Sequence, residues 1–574
     1  MFMFRDSAKA LFLSLSVSLL LFAACSAPEP EALPRSPAFG ANGMVVTANP
    51  EATAVGLQIL QEGGNAFDAA IAVKYMLSVT YPIAGNIGGG GFMVYRTAEG
   101  EAGALDFRET APAAATRDMY LDKEGNLIDG LSRIGHLSAG VPGTVAGMEE
   151  VWQRFGSLPF AQLIEPTIQV AEQGHRVTAF NAEQSNRFQE EFAEVNTQLP
   201  LFVKEGGWQE GDLLVQPDLA ETLRRIRDEG AAGFYTGTTA DLIVAEMQAG
   251  GGIITHEDLA AYRAIWRPAV SVAYKNYRIH SMPPSSSGGI AIAQLMLGSA
   301  DFDFAALGHL TPESIHLMAE LMRRVYADRA THLGDSDFYD VPFEMLLDPQ
   351  YIRARNADIS MEAATPSSAI KEGEVERIES FETTHFSIVD GAGNAVSLTT
   401  TVNSFFGSKV MVAGAGFFLN NEMDDFAAAP GVPNQFGLVG GEANAIEPGK
   451  RMLSSMSPTI VERNGALYLV LGTPGGSTII TNVYQVLMNV LEHGLDLQQA
   501  VDVPKMHAQW LPDVITLEEG ALDEAGMEAL RALGHELRVI PQIGRVQAIQ
   551  LLDDGRLKGV ADHTRTGDSV ARGF

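Results

Sequence analysis

The sequence predicts an α/β protein with an antiparallel sheet component. Three observations carry that expectation. From Gly43 onward, short apolar runs alternate with segments of helical spacing. After Glu382 the pattern changes to period two around a Gly391-Ala392-Gly393 turn. Of the 574 residues, 46% are hydrophobic and 19% charged, which supplies a large core and excludes wholesale disorder.

The chain opens with an address. Arg5 and Lys9 precede an apolar run over 10–24, broken only by Ser14, Ser16 and Ser18. Its 15 residues fall short of the roughly 20 that span a bilayer and suit the h-region of an export signal. Leu21-Phe22-Ala23-Ala24-Cys25 resembles a bacterial lipobox, whose cysteine becomes residue one and carries lipid; Phe22 stands where Leu is usual. Residues 1–24 are therefore expected as a signal peptide and 25–42 as a tether. The protein is expected to be exported to the periplasm, with membrane contact only through lipid on Cys25.

A short buried strand is expected over 44–48, then helices over 51–62 and 65–79, the first closing on Gly63-Gly64. Gly88-Gly89-Gly90-Gly91 precedes a strand over 92–95. This run fits neither G-x-G-x-x-G nor a P-loop, so close backbone packing explains it better. Helical spacing recurs over 160–172, 217–229, 239–248 and 312–332, the last with Ile315, Met318, Leu321, Met322 and Val325 on one stripe. Residues 361–382 have few large apolar side chains and mixed charge, which predicts a mobile tail. A hairpin of 383–390 and 394–401 follows. Further strands are expected over 458–462, 466–471, 536–540 and 545–552, and helices over 480–492, 497–501 and 523–532.

Several chemistries are excluded. The net charge of −32 repels phosphate backbones, and no basic patch offsets it, so nucleic acid is not an expected partner. A single cysteine forms no intrachain disulfide, Cys zinc site or iron–sulfur cluster. His256-Glu257 lacks a second His four residues on, and there is no G-x-S-x-G elbow. Neither a metal nor a cofactor is expected. Nucleophilic catalysis would then need Ser or Thr with an unusual base.

Thr383-Thr384-His385-Phe386-Ser387 allows two readings. Threonines favour strands, and an edge strand accounts for them. Alternatively, Thr383 is a masked N-terminal nucleophile. A freed α-amine, with an ordinary pKa of about 7.7–8.0, is a proton acceptor near working pH. Carried on the same residue as the hydroxyl, it costs almost no entropy to position. This requires the Glu382–Thr383 bond to be cut.

TTHFSIVDGAGNAVSLTTTVNSFFG, GFFLNNEMDDF, PGVPN, GLVGGEANAIEPGKR, LSSMSPTIV and GTPGGSTII resemble the γ-glutamyltransferases, also called glutathione hydrolases. The resemblance begins near Met44 with MVVTANPEATAVGLQILQEGGNAFDAA. It continues through YPIAGNIGGGGFM, LDFRETAPAAATRDMYLD and SAGVPGTVAGM to PKMHAQWLPD. It implies an N-terminal nucleophile hydrolase with a four-layer αββα fold. It also implies a precursor that cuts itself into a large subunit, 43–382 after the tether, and a small catalytic one, 383–574, which stay together as a heterodimer.

By the same resemblance Thr383 attacks γ-glutamyl amides such as glutathione, and Thr401 hydrogen-bonds the terminus of the nucleophile. Gly475 and Gly476 supply oxyanion-hole N–H groups. The α-carboxylate of the substrate meets Arg108, Ser454 and Ser455; its α-ammonium meets Asp425, with Glu422 and Asn403 as further acceptors. Water or an amino acid or peptide acceptor resolves the acyl-enzyme. Residues 430–450 match a loop covering the pocket, with Phe436 where an aromatic residue, often Tyr, sits. Two other functions stay open at this stage: a cephalosporin or glutaryl acylase of the same fold, and a non-enzymatic anchored lipoprotein.

Overall fold

The computed structural model describes residues 37–370, 383–428 and 432–574. The expected signal peptide with Cys25, most of the tether, and Glu382 with residues 371–381 of the expected tail lie outside the described residues.

Two seven-stranded sheets pack face to face, each antiparallel throughout. In spatial order the first holds Val570–Gly573, Gly43–Thr47, Thr383–Asp390, Ala395–Thr401, Gly90–Arg96, Ala102–Asp106 and Ile265–Arg267. The second holds Ala38–Gly40, Leu557–Ala561, Gln547–Leu551, Ala466–Gly472, Thr459–Arg463, Tyr277–Ser281 and Val270–Tyr274. Both sheets draw strands from either side of residue 382, so the two segments are interleaved.

Side-chain alternation assigns the layers. Met44, Val46, Phe92, Val94, Ile460, Val470 and Ile549 fill the space between the sheets. Val45, Met93, Tyr95, Ile388 and Leu398 point outward, onto a helical layer that includes Pro50–Gln61 and Ala66–Thr80. Val461, Leu469 and Leu471 point outward from the second sheet onto Gly288–Ser299, Pro312–His332 and Thr478–Leu491. The result is the four-layer αββα sandwich that the resemblance implies.

Capping chemistry sets the helix starts. The Asn49 side chain accepts from the Ala52 amide with Pro50 just inside the helix, and Asn65 forms a capping box with Asp68. The hairpin Thr383–Asp390/Ala395–Thr401 is where expected, but it is central and buried on both faces, which rules out the edge-strand reading. Its polar face meets the other sheet instead of water. Ser387 Oγ donates to Gln547 O (3.2 Å) and Ser397 Oγ to Leu471 O (3.0 Å).

Two expectations need correction. The tether does not extend to residue 42, because Ala38–Gly40 pairs with Leu557–Ala561 and the Ala41 and Asn42 amides donate to Phe574 O. Residues 361–370 of the expected mobile tail are docked. Ala364 N–H donates to Leu533 O (2.7 Å) and Ser367 N–H to Asp513 Oδ2 (2.7 Å), and Ile370 is buried in the core beneath the second sheet. The strand expected over 536–540 is present as Leu537–Ile540, and it pairs in parallel with Ile515–Glu518 in a separate three-stranded sheet. No helix among the described residues is long and apolar enough to cross a membrane.

Candidate active site

Thr383 begins its strand opposite Thr401, at the open end of the central hairpin. The Thr401 hydroxyl accepts the Asn403 N–H at 2.7 Å, which fixes it there. The glycine run makes room for this end of the sheet. A Cβ on Gly89 would lie 2.1 Å from Thr401 O, and one on Gly91 2.5 Å from Thr399 O, so only glycine allows Gly90–Arg96 to approach.

His385 is the ring nearest in sequence, and it is not available as a base. It is fully buried, its nitrogens meet Thr399 Oγ1 (2.9 Å) and Ser387 Oγ (3.1 Å), and burial drives its pKa down to about 3. It fills the space that a side chain at Gly472 would take.

A cleft enclosing about 310 Å³, open mouth included, is lined by Thr383, Thr401, Asn403, Arg108, Asp425, Ser454, Ser455, Phe436 and Gly476, among others. Eight of the predicted site residues and the lid residue thus converge on one place. Gly475 and Gly476 immediately precede the helix Thr478–Leu491. Gly476 has φ +54°, and a Cβ there would lie 2.6 Å from the Phe436 ring. Among the described residues, neither glycine amide has an acceptor. They are unspent N–H donors at a helix start, where an oxyanion is favoured.

Arg108 follows the strand Ala102–Asp106 and is fully buried. Its Nη1 lies 2.5 Å from Glu422 Oε2 and its Nη2 2.5 Å from Asp425 Oδ2, while Nε donates to Met452 O (3.3 Å). A guanidinium has five N–H groups, so one remains on each terminal nitrogen for an incoming carboxylate. Glu109, also fully buried, stands 3.8 Å from Nη1 and is pushed up to about 8 by burial. Burial pushes Glu422 still more strongly toward its neutral form. The same burial raises Asp425, against the pull of Arg108, and of the three carboxyls it is Asp425 that lines the cleft beside Arg108. That matches a zwitterionic α-amino acid head.

Two expected roles change with the geometry. Glu422 is fully buried behind Arg108 and does not line the cleft, so it acts on the guanidinium rather than on an ammonium. Arg108 and Asp425, expected to hold opposite ends of a ligand, also hold each other. Asn403 uses its amide nitrogen on Asn421 O (3.0 Å), which turns its carbonyl oxygen into the remaining acceptor.

The covering loop is tied down at four points. Asn434 Nδ2 donates to Asp425 Oδ1 (3.1 Å), Gln435 N–H to Asp424 Oδ2 (3.0 Å), Ser404 Oγ to Gln435 Oε1 (2.8 Å) and Gln509 Nε2 to Gly437 O (3.1 Å). Phe436 has no hydroxyl, and it contributes by lying over Gly476.

A family model described as Gamma-glutamyltranspeptidase matches residues 52–572. The chain belongs to the gamma-glutamyltranspeptidase family. Within it, the chain is 44% identical to the glutathione hydrolase proenzyme of Escherichia coli (strain K12), over 93% of this chain and 92% of that one. It is 46% identical to the glutathione hydrolase proenzyme of Pseudomonas aeruginosa, over 97% of this chain and 98% of that one. Among solved structures it resembles a cephalosporin acylase from Bacillus halodurans, with a TM-score of 0.82, 28% identity, and coverage of 97% of this chain and 99% of that one.

Sequence reasoning missed Asn434, Glu109 and Arg329. Asn434 stood in a quoted motif, PGVPN, and Glu109 adjoins Arg108; neither carried a pattern that distinguishes a buried contact from a loop. His316, Glu320 and His535 also converge, with possible ligand atoms within 4.8 Å of one another. Their donors and acceptors are already matched. His316 Nδ1 meets His535 Nε2 (2.7 Å), Arg323 Nη2 meets His535 Nδ1 (2.8 Å), and Arg323 and Arg324 take the two Glu320 oxygens. Two guanidinium groups beside the carboxylate suit a hydrogen-bonded strut better than a cation site.

Proposed function

We propose that this chain is a self-processing γ-glutamyltransferase and glutathione hydrolase with Thr383 as nucleophile. The supporting observation is the cleft's shortage of bases. Among the described residues, its only titratable side chains are Arg108 and Asp425. Both oxygens of Asp425 are engaged, by Arg108 and by Asn434. A base for the Thr383 hydroxyl must therefore come from elsewhere, and the α-amine of a freed Thr383 supplies it.

In maturation, Thr383 Oγ attacks the Glu382 carbonyl carbon, the peptide C–N bond breaks, and the nitrogen takes the hydroxyl proton. Water hydrolyses the resulting ester, leaving a carboxylate on 382 and an amine on Thr383. In turnover, that amine takes the Oγ proton as Oγ attacks the γ-carbonyl of the donor. The Gly475 and Gly476 N–H groups hold the oxyanion, a contribution of about 3–4 kcal/mol for one such donor. The leaving amine departs with the proton, and water or an amino acid or peptide amine then attacks the ester, giving glutamate or a new γ-glutamyl compound. Arg108, Ser454 and Ser455 receive the α-carboxylate, and Asp425 with Asn403 the α-ammonium.

A glutaryl or cephalosporin acylase is the second reading, favoured by the likeness to the Bacillus halodurans structure. Glutaryl donors lack the ammonium, so a charged acceptor at Asp425 disfavours them. Intact-mass analysis with N-terminal sequencing should find two fragments, the smaller beginning at Thr383, and an uncut Thr383→Ala chain. The same sample should turn over γ-glutamyl anilide faster than glutaryl anilide. The reverse preference supports the acylase, and full activity from an uncut chain refutes the mechanism. We also propose export to the periplasm with lipid on Cys25, on sequence grounds; a mass for the mature N-terminus without an acyl group refutes the anchor.

A further inference from the structure

The helix Pro312–His332 carries a buried guanidinium that the mechanism above leaves unused. Arg329 has no carboxylate within ion-pair distance among the described residues. Its side chain meets two hydroxyls instead: Nε donates to Ser287 Oγ (3.0 Å) and Nη2 to Ser455 Oγ (3.3 Å).

One of those contacts is to a serine of the cleft, Ser455, and the other leads through Ser287 to the backbone of Ser454. Arginine only donates, so Ser455 Oγ is the acceptor and its own proton must point to another partner. Ser455 lines the cleft, where that partner is whatever occupies it. Ser287, accepting from Nε, donates its hydroxyl hydrogen bond to Ser454 O at 2.6 Å, and its backbone N–H donates to the same oxygen at 2.8 Å. One guanidinium thus orients the Ser455 hydroxyl directly and, through Ser287, holds the backbone carbonyl of Ser454.

Charge adds to geometry. The guanidinium of Arg108 already has carboxyl groups against it, Glu422 and Asp425, each at 2.5 Å. Arg329 is the nearby cation with no such partner, and it feels Asp425 across the site. Burial lowers its pKa to about 10, so it remains protonated at neutral pH. A hydroxyl that accepts from a cation is a stronger donor in turn.

We propose that Arg329 is a positioning residue for the α-carboxylate of the donor, acting by aiming and polarising Ser455 and by holding Ser454 through Ser287. This rests on the γ-glutamyl reading of the site, and it adds a second cation behind the serine pair.

Two donors separate the effect from general damage: γ-glutamyl anilide, and 4-aminobutyryl anilide, which keeps the ammonium and lacks the carboxylate. Arg329→Lys keeps the charge and loses the fork. In mature protein, checked as two fragments, it should raise KM for the γ-glutamyl donor about tenfold, equivalent to about 1.4 kcal/mol, with kcat within about threefold. Its kcat/KM for the 4-aminobutyryl donor should change by less than about threefold. In a Ser455→Ala background the Arg329→Lys effect should shrink, because the two side chains act as a unit. Equal losses on both donors, or an undiminished effect without the Ser455 hydroxyl, overturn the proposal.

If Arg329→Lys fails to mature, Ser287→Ala gives the same reading with the guanidinium in place. A KM rise confined to the γ-glutamyl donor supports the proposal; no change, or equal change on both donors, overturns it. Wild-type protein that hydrolyses neither donor overturns the γ-glutamyl reading itself, which is a different result.

Discussion

Asp425→Asn tests the electrostatic match most directly. The substitution keeps the shape and one carbonyl acceptor at a position that lines the cleft, and it removes the charge. In the wild type, Asp425 Oδ2 lies 2.5 Å from Arg108 Nη2 and Oδ1 accepts from Asn434. A hydrogen bond to a charged group contributes about 1.5–3 kcal/mol, against about 0.5–1.5 for a neutral pair. Losing the charge opposite a substrate ammonium should therefore cost about 1–2 kcal/mol, or about 5–30-fold in kcat/KM. The variant also frees Arg108 from one of its carboxyl partners, which strengthens its hold on any α-carboxylate. That gain is common to γ-glutamyl and glutaryl donors, so the ratio of the two kcat/KM values isolates the ammonium contact. The ratio should fall about 5–30-fold in mature protein assayed with both anilides. An unchanged ratio, with the variant fully matured, would refute the assignment of Asp425.

Three further outcomes are expected. Thr383→Ala should remain one chain on a denaturing gel, whereas Thr383→Ser, which keeps a hydroxyl, should still be cut. Gly476→Ala forces a Cβ into the Phe436 ring at a φ of +54°; displacing the donor N–H should lower kcat about 10²–10³-fold with a smaller change in KM. Asp424 is pushed by burial up to about 6 from an ordinary 3.8, so the folded state binds its proton more tightly than the unfolded chain does. That stabilisation is complete below about pH 4 and lost as pH rises through about 6. Asp424→Asn, compared by urea unfolding with the uncut Thr383→Ala parent, should gain about 1–3 kcal/mol at pH 7 and little at pH 4.

Legibility in the sequence varied with the kind of pattern. The helices Pro217–Glu229 and Pro312–His332 were located to the residue, because proline at the first turn marks the start. The hairpin at Thr383 was visible from alternation and its glycine turn, but its depth was not: Ser387 and Ser397 look solvent-facing until the second sheet supplies their acceptors. The hairpin Val270–Tyr274/Tyr277–Ser281 and the helix Gly288–Ser299 went unseen, since a wholly buried helix shows no polar face to give it a period. At the site, motifs named the residues that line the cleft. They could not show that Glu422 lies behind Arg108, nor that Arg329 reaches Ser455 from a helix whose charged side chains resemble a solvated face. Those are facts of long-range packing.

The interleaving of strands from both sides of residue 382 would make the proposed cut there a one-way passage. As a single polypeptide, the molecule can lose its structure and regain it without finding a partner. Once divided, a denatured sample becomes two solutes, each left with sheet edges that only the other can complete. Recovery then depends on encounter and dilution, so the persistence of the working enzyme is set by how slowly it opens rather than by an equilibrium it can revisit.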